Sequence, residues 1–137
     1  MATAKILYAS DLITEAIHVK SGIRIITDAP VDNNGKGSAF SPTDLISAAL
    51  VSCMITIMGI KANQLKISLG KIESDVTKIM GINPRRITKL EVKINFEKAF
   101  DDELRKQLEE AGRNCPVAKS LHPEIIQDVT FNYGVVL

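Results

Sequence analysis

The two cysteines of the chain, Cys53 and Cys115, are the residues whose chemistry stands out. A thiolate attacks peroxides and disulfides, and its reactivity depends on how its surroundings set the thiol pKa. The two lie too far apart for a C-x-x-C redox motif, and a pair of cysteines in 137 residues does not resemble the disulfide framework of a small secreted domain. We therefore expect a cytoplasmic protein in which folding decides whether the thiols act together.

The sequence around each cysteine predicts a different environment. Cys53 falls inside an apolar run, about 14 Å beyond Asp44 along a helix, so the dipole of its own helix acts on it only weakly. It is either a thiol activated by an outside cation or a small core residue. Cys115 precedes Pro116, which suits a first helical position and makes Cys115 an N-cap. Free backbone N–H groups there favour the thiolate, and Arg113 is near, so local electrostatics favours Cys115 as the more reactive thiol. The alternative is a buried cysteine at a helix end.

Other kinds of site find little support in the sequence. His18 and His122 have no zinc-ligand spacing relative to the cysteines, and the loop from Asn33 to Gly37 lacks the Gly-Lys-Ser/Thr ending of a phosphate-binding loop. Seventeen basic residues balance sixteen acidic ones, without the basic surplus typical of nucleic-acid-binding proteins. We expect no metal, no cofactor and no nucleic-acid partner.

The longest element is a predicted helix that contains Cys53. Ser41 is a good N-cap, Pro42 suits the first helical position, and Asp44 completes a capping box. From Leu45 to Ile60 the residues are apolar on almost every face, yet the run is shorter than the roughly 20 residues of a membrane span. A helix of this kind must be buried all round. Since a small chain has difficulty enclosing it alone, we expect a homodimer and no membrane.

The remaining patterns predict strands and two further helices. Three short β-rich runs precede the long helix, and a hairpin follows it, with Leu90, Val92, Ile94 and Phe96 alternating on a buried face. An amphipathic helix from about Asp101 to Arg113, a short helix from Pro116 and a closing strand through Val129, Phe131 and Tyr133 complete the chain. We predict one α+β domain over residues 1–137, in the order β-β-β-α-β-β-α-α-β, with largely antiparallel pairing.

Two segments resemble the OsmC/Ohr family, which comprises osmotically inducible proteins and organic hydroperoxide resistance proteins. The first starts with Thr27-Asp28-Ala29-Pro30 and continues from Phe40-Ser41-Pro42-Thr43-Asp44-Leu45 to Ser52-Cys53-Met54. The second is Asn114-Cys115-Pro116-Val117, followed by Ser120-Leu121. The resemblance covers nearly the whole chain and is greatest to the compact OsmC-like branch.

This resemblance implies an intertwined homodimer, in which two central helices are flanked by sheets and the active sites lie at the interface. It also implies a thiol peroxidase for organic hydroperoxides, with Cys53 attacking the peroxide, Cys115 resolving it and an external dithiol as reductant. Family members pair an arginine with a glutamate beside the reactive thiol. Asp44 is the expected substitute for the glutamate, and Arg24 is our first choice among Arg24, Arg85, Arg86 and Arg113. The alternative is a non-catalytic OsmC-like dimer that senses redox state or binds a small molecule.

Overall fold

A computed structural model describes all residues from 1 to 137 and confirms the predicted α+β class and element order. The strands and helices are β1 (Ala4–Tyr8), β2 (Ile13–His18), β3 (Arg24–Asp28), α1 (Pro42–Gln64), β4 (Ile72–Gly81), β5 (Arg86–Phe96), α2 (Asp102–Arg113), α3 (Pro116–Ser120) and β6 (Ile126–Tyr133). The chain forms two compact units, Met1–Ile46 and Ser47–Leu137. That residues 1–137 act as a single domain stays a prediction.

The N-terminal unit contains an antiparallel sheet in the order β1-β2-β3. Register places Ile6, Ala16 and Ile25 side by side on one face, because Ile6 pairs with Ala16 and Ala16 pairs with Ile25. Ile6 is 59% exposed and Ile25 is 45% exposed, so this apolar row remains largely uncovered within the chain. An uncovered apolar sheet face of this kind is typical of a surface that binds another protein.

The loop that follows β3 is fixed by Asp28. The backbone N–H of Asp28 donates to Phe40 O (3.1 Å), and its Oδ2 accepts from Ser38 N (3.0 Å) and Ser38 Oγ (2.6 Å). These bonds join the two ends of the loop and leave Asp28 only 1% exposed. The hydrogen bond from the Ser38 side chain is the main reason why the pKa of Asp28 lies below its ordinary value, because it stabilises the carboxylate.

The C-terminal unit is built on a sheet in the order β4-β5-β6. The hairpin of β4 and β5 is antiparallel as predicted, with the buried residues of β5 alternating from Leu90 to Phe96. β6 pairs with β5 in parallel, which the expectation of largely antiparallel pairing did not specify. The reason is the connection: α2 and α3 lie between β5 and β6, and a helical crossover returns the chain in the same direction. The core includes Leu50, Met54 and Met58 from α1 and Leu108 from α2.

Helix α1 is longer than the apolar run indicates and has two different faces. The helix has 23 residues, and one face, with Leu50, Met54 and Met58, is buried. Another face is exposed in the single chain and carries Ala49, Ser52, Thr56 and Ile60. By length and composition, with a mean hydropathy of 1.9, α1 is apolar enough to cross a membrane, but core helices of soluble proteins have the same properties. Within one chain, 33% of the most apolar window of α1 is buried. One chain therefore does not bury α1 all round.

Candidate active site

The fold brings the two cysteine side chains together. Cys53 lies in the middle of α1 and is partly buried, while Cys115 lies between α2 and α3 and is 0% exposed. Both are free thiols, and the two side chains lie near enough to interact electrostatically. Two neighbouring thiols can condense to a disulfide after one of them is oxidised. This proximity of sequence-distant residues is what joint action of the two thiols requires.

Cys115 has the local structure predicted from Pro116, but not the predicted electrostatics. It is the N-cap of α3, and its Sγ accepts a hydrogen bond from Ala118 N at 3.4 Å. Nevertheless its pKa lies above the ordinary value of 9.0, chiefly because burial disfavours the thiolate, and the interaction with Cys53 raises it further. The expectation that the helix start activates Cys115 is therefore wrong, because desolvation outweighs the helix-start hydrogen bond.

A glycine on α2 explains how the two cysteines meet. Gly112 is buried on the same face as Leu108, and a Cβ at Gly112 would lie 3.0 Å from Met58 Sδ and 3.7 Å from Met54 O. Because Gly112 has no side chain, α2 can approach α1 closely at this point. Cys115 follows Gly112 by one helical turn, and its N–H donates to Gly112 O at 3.2 Å. Sequence reasoning missed Gly112, although a glycine within a helix on its core-facing side often marks close packing.

Asp44 is at the start of α1, where it forms the predicted capping box. Its Oδ2 accepts from Ser41 N at 2.9 Å, and its own N–H donates to Ser41 Oγ at 3.1 Å. These reciprocal bonds stabilise the first turn of α1. The structure thus assigns Asp44 a role in the helix start, and its role beside the reactive thiol stays a prediction.

The arginines have partners that the sequence does not reveal. Arg24 on β3 forms an ion pair with Glu15 on β2, so the carboxylate that holds this guanidinium is Glu15. Arg113 donates to Val129 O (3.3 Å) and lies 5.1 Å from the ring centre of Phe131. The Arg113 guanidinium is therefore engaged with β6. The role of Arg24 at the active site stays a prediction.

Two further arginines support the backbone. Arg86 donates to carbonyls of the β4–β5 turn at Ile82 and Pro84. Arg105, which was absent from the candidates, donates to Phe100 O at 2.7 Å and stacks 4.6 Å from the ring centre of Tyr133. Both thus have evident structural roles.

The histidines bond to residues near them in sequence. His18 Nδ1 shares a hydrogen bond with Ser21 Oγ at 2.6 Å, and His122 Nδ1 accepts from Glu124 N at 3.1 Å. No group of three or more His, Cys, Asp or Glu residues is arranged to hold a metal ion. The candidate chemistry of the site is therefore that of its two thiols.

Comparisons with known proteins agree with this fold. Residues 35–129 match the profile of the family described as OsmC-like protein. A crystal structure from Psychrobacter arcticus 273-4, of a proposed osmotic stress induced and detoxification response protein, is 48% identical in sequence, with 96% of each chain covered and a TM-score of 0.93. No curated protein sequence matched the chain.

More distant structures share the fold at low sequence identity. The organic hydroperoxide resistance protein OsmC from Legionella pneumophila is 17% identical, with 94% of each chain covered and a TM-score of 0.73. The organic hydroperoxide resistance protein OhrB of Bacillus subtilis is also 17% identical, with 96% of this chain and 98% of that chain covered and a TM-score of 0.69. With a family profile that spans most of the sequence and a close structural relative over nearly its full length, the chain belongs to the OsmC-like protein family.

Proposed function

We propose that this protein is a thiol peroxidase that reduces organic hydroperoxides in the cytoplasm. The observation that carries the proposal is the proximity of Cys53, which is partly exposed, to Cys115, which is fully buried. Two structures of the same fold are named as organic hydroperoxide resistance proteins, which makes an organic hydroperoxide the substrate to test first. An enzyme of this type needs one accessible thiol for the peroxide and a second within reach of the first.

The proposed reaction has three steps. The Cys53 thiolate attacks the terminal oxygen of the hydroperoxide, the O–O bond breaks, and the alkoxide leaves and is protonated to the alcohol. Cys53 is then a sulfenic acid, which condenses with the Cys115 thiol to form a disulfide and release water. An external dithiol reduces this disulfide by two exchanges and becomes a disulfide itself. The exposure of the two cysteines supports this order, since the peroxide must reach Cys53 first.

Activation of Cys53 requires a cation or hydrogen-bond donor, because a free thiol is mostly protonated at neutral pH. We propose Arg24 as this cation, held in position by Glu15 as the ion pair in the N-terminal sheet indicates. A guanidinium fixed by a carboxylate presents its remaining N–H groups in a defined direction. Asp44, which is expected to replace the family's glutamate, would contribute by fixing the start of the helix that carries Cys53.

We further propose that the protein acts as a homodimer. Two exposed surfaces support this: the apolar row of Ile6 and Ile25 on the N-terminal sheet, and the face of α1 that carries Ala49, Ser52, Thr56 and Ile60. A second copy that covers both surfaces would bury α1 on the faces that one chain leaves open. Burial of this apolar area is favourable at roughly 25 cal/mol per Å².

The proposal is tested by measuring consumption of cumene hydroperoxide with dithiothreitol as the reductant. We expect repeated turnover in the wild type and none in Cys53→Ser. The alternative, a non-catalytic redox-sensing dimer, has one observation in its favour: the raised pKa of Cys115 slows its attack on a sulfenic acid at neutral pH. A wild type that is oxidised once by the hydroperoxide and does not turn over with excess dithiol would support that alternative and contradict the enzyme.

A further inference from the structure

Helix α3, which has Cys115 as its N-cap, is too short to be stable without contacts to the rest of the chain. It has five residues, Pro116–Ser120, and isolated helices of this length are unstable because too few hydrogen bonds offset the cost of nucleation. The last four carbonyls of any helix also lack donors within the helix. The position of α3, and with it that of the Cys115 thiol, must therefore depend on contacts with the rest of the unit.

One such contact comes from a polar residue on the inner face of β6. Val129, Phe131 and Tyr133 form the partly buried row of this strand, and Gln127 occupies the next position of the same row. Its Nε2 donates a hydrogen bond to Ala118 O at 3.1 Å, across the gap between β6 and α3. An inward-facing glutamine in an otherwise apolar row is explained by this bond, which gives a partner to a helix-end carbonyl.

The contact continues from Ala118 to both cysteines. The carbonyl of Ala118 accepts from Gln127, and its N–H donates to Cys115 Sγ at 3.4 Å. The Cys115 thiol in turn lies near enough to Cys53 to interact with it electrostatically. Ala118 is 9% exposed, so water has little access to replace these bonds. A change at Gln127 is thus transmitted through one residue to the resolving thiol.

We propose that Gln127 is a positioning residue that fixes the location of the Cys115 thiol relative to Cys53. It does not contact the reacting atoms, and it acts by holding α3 against β6. The inference rests on the proposed function for its biological meaning. Its physical content, however, applies to formation of a Cys53–Cys115 disulfide by any oxidant, which allows a test that needs no peroxidase activity.

The first test measures how readily the disulfide forms in glutathione redox buffers. Gln127→Met removes the amide donor, and Gln127→Glu keeps the side-chain shape but replaces the donor with an acceptor-only carboxylate at neutral pH. We expect the equilibrium constant for disulfide formation to fall about three- to tenfold, the usual effect of one hydrogen bond. The matched controls are Gln107→Met and Gln107→Glu on α2, where the Gln107 side chain donates to Glu103 at 3.5 Å. Wild-type values in both folded Gln127 variants would overturn the inference.

The second test separates the two oxidation steps with cumene hydroperoxide. In Gln127→Met we expect the Cys53 thiol to be oxidised to the sulfenic acid at the wild-type rate, within twofold, and disulfide formation to be slowed about three- to tenfold. The fraction of sulfenic acid that dimedone traps should rise accordingly. An equal fall in both rates would indicate a general structural defect and overturn the positioning role. If the wild type forms the disulfide in glutathione but never reacts with hydroperoxides, the proposed function fails, while the first test still decides the role of Gln127.

Discussion

The face of α1 that the single chain leaves exposed provides a sharp test of the homodimer. Ala49 lies on this face. In a monomer, Ala49→Asp would place a charge in water and cost only about 0.5–0.7 kcal/mol, the difference in helix propensity. In the proposed dimer, the same change would bury an unpaired carboxylate, which costs about 3–5 kcal/mol. The two states therefore predict effects on the free energy of unfolding that differ severalfold.

Light scattering and urea unfolding measure this difference. We expect the wild type to have twice the 15.0 kDa mass of one chain, and Ala49→Asp to dissociate or fail to fold. A cost of about 3 kcal/mol corresponds to a dissociation constant raised more than 100-fold. Lys106→Asp at an exposed position of α2 is the control and should leave the mass unchanged. A wild-type monomer at micromolar concentration, or an Ala49→Asp dimer with an unchanged urea midpoint, would refute the reasoning.

Three other predictions concern the thiols and the charges. The Cys115→Ser variant should react once with a hydroperoxide and stop at a sulfenic acid on Cys53. Mass spectrometry of the dimedone adduct checks this. In the Cys53→Ser variant, a dimedone adduct on Cys115 would show that the roles of the two cysteines are reversed. Alkylation of Cys53 at pH 7 should slow in Arg24→Ala and in Glu15→Gln, and an unchanged rate in both variants would contradict activation by Arg24. Because its folded pKa is lowered, Asp28 stabilises the fold above pH 3.8, and this contribution is lost as the pH falls through the folded pKa. Asp28→Asn should therefore lower the urea midpoint at pH 7 and flatten its decline in acid.

Local sequence signals were sufficient for most of the secondary structure. The capping box of Ser41 and Asp44, the alternation along β5 and the helix start at Pro116 each depend on residues within a few positions, and all three are present in the structure. Signals of this kind state what one segment does. They do not state which segment packs beside it, so the parallel pairing of β6 with β5 remained unspecified.

The residues that sequence reasoning missed all act through tertiary contacts. Gly112 matters because α2 approaches Met58 of α1, and Gln127 matters because β6 faces Ala118. Glu15 is significant only because strand register places it near Arg24. None of these partners lies close enough in sequence for a local pattern to connect the pair.

The pKa of Cys115 shows why position along a helix is insufficient to identify the reactive thiol. The helix-start N–H of Ala118 does contact the Cys115 sulfur, as the sequence predicts. Taken by itself, this contact lowers the pKa of Cys115. Full burial raises the pKa by more, so Cys115 is kept protonated at neutral pH. A protonated, inaccessible thiol is a poor first nucleophile for a peroxide but remains available to a sulfenic acid near it.

The raised pKa also has a kinetic consequence that can be measured. If attack by the Cys115 thiolate limits disulfide formation, the rate of this step should rise about tenfold per pH unit below the Cys115 pKa, because the thiolate fraction rises by that factor. The initial formation of the Cys53 sulfenic acid should not follow the same profile. Stopped-flow measurement of both steps from pH 6 to 8 checks this. A condensation rate that is independent of pH over this range would show that Cys115 reacts as a thiolate already formed, and would contradict the dominance of burial.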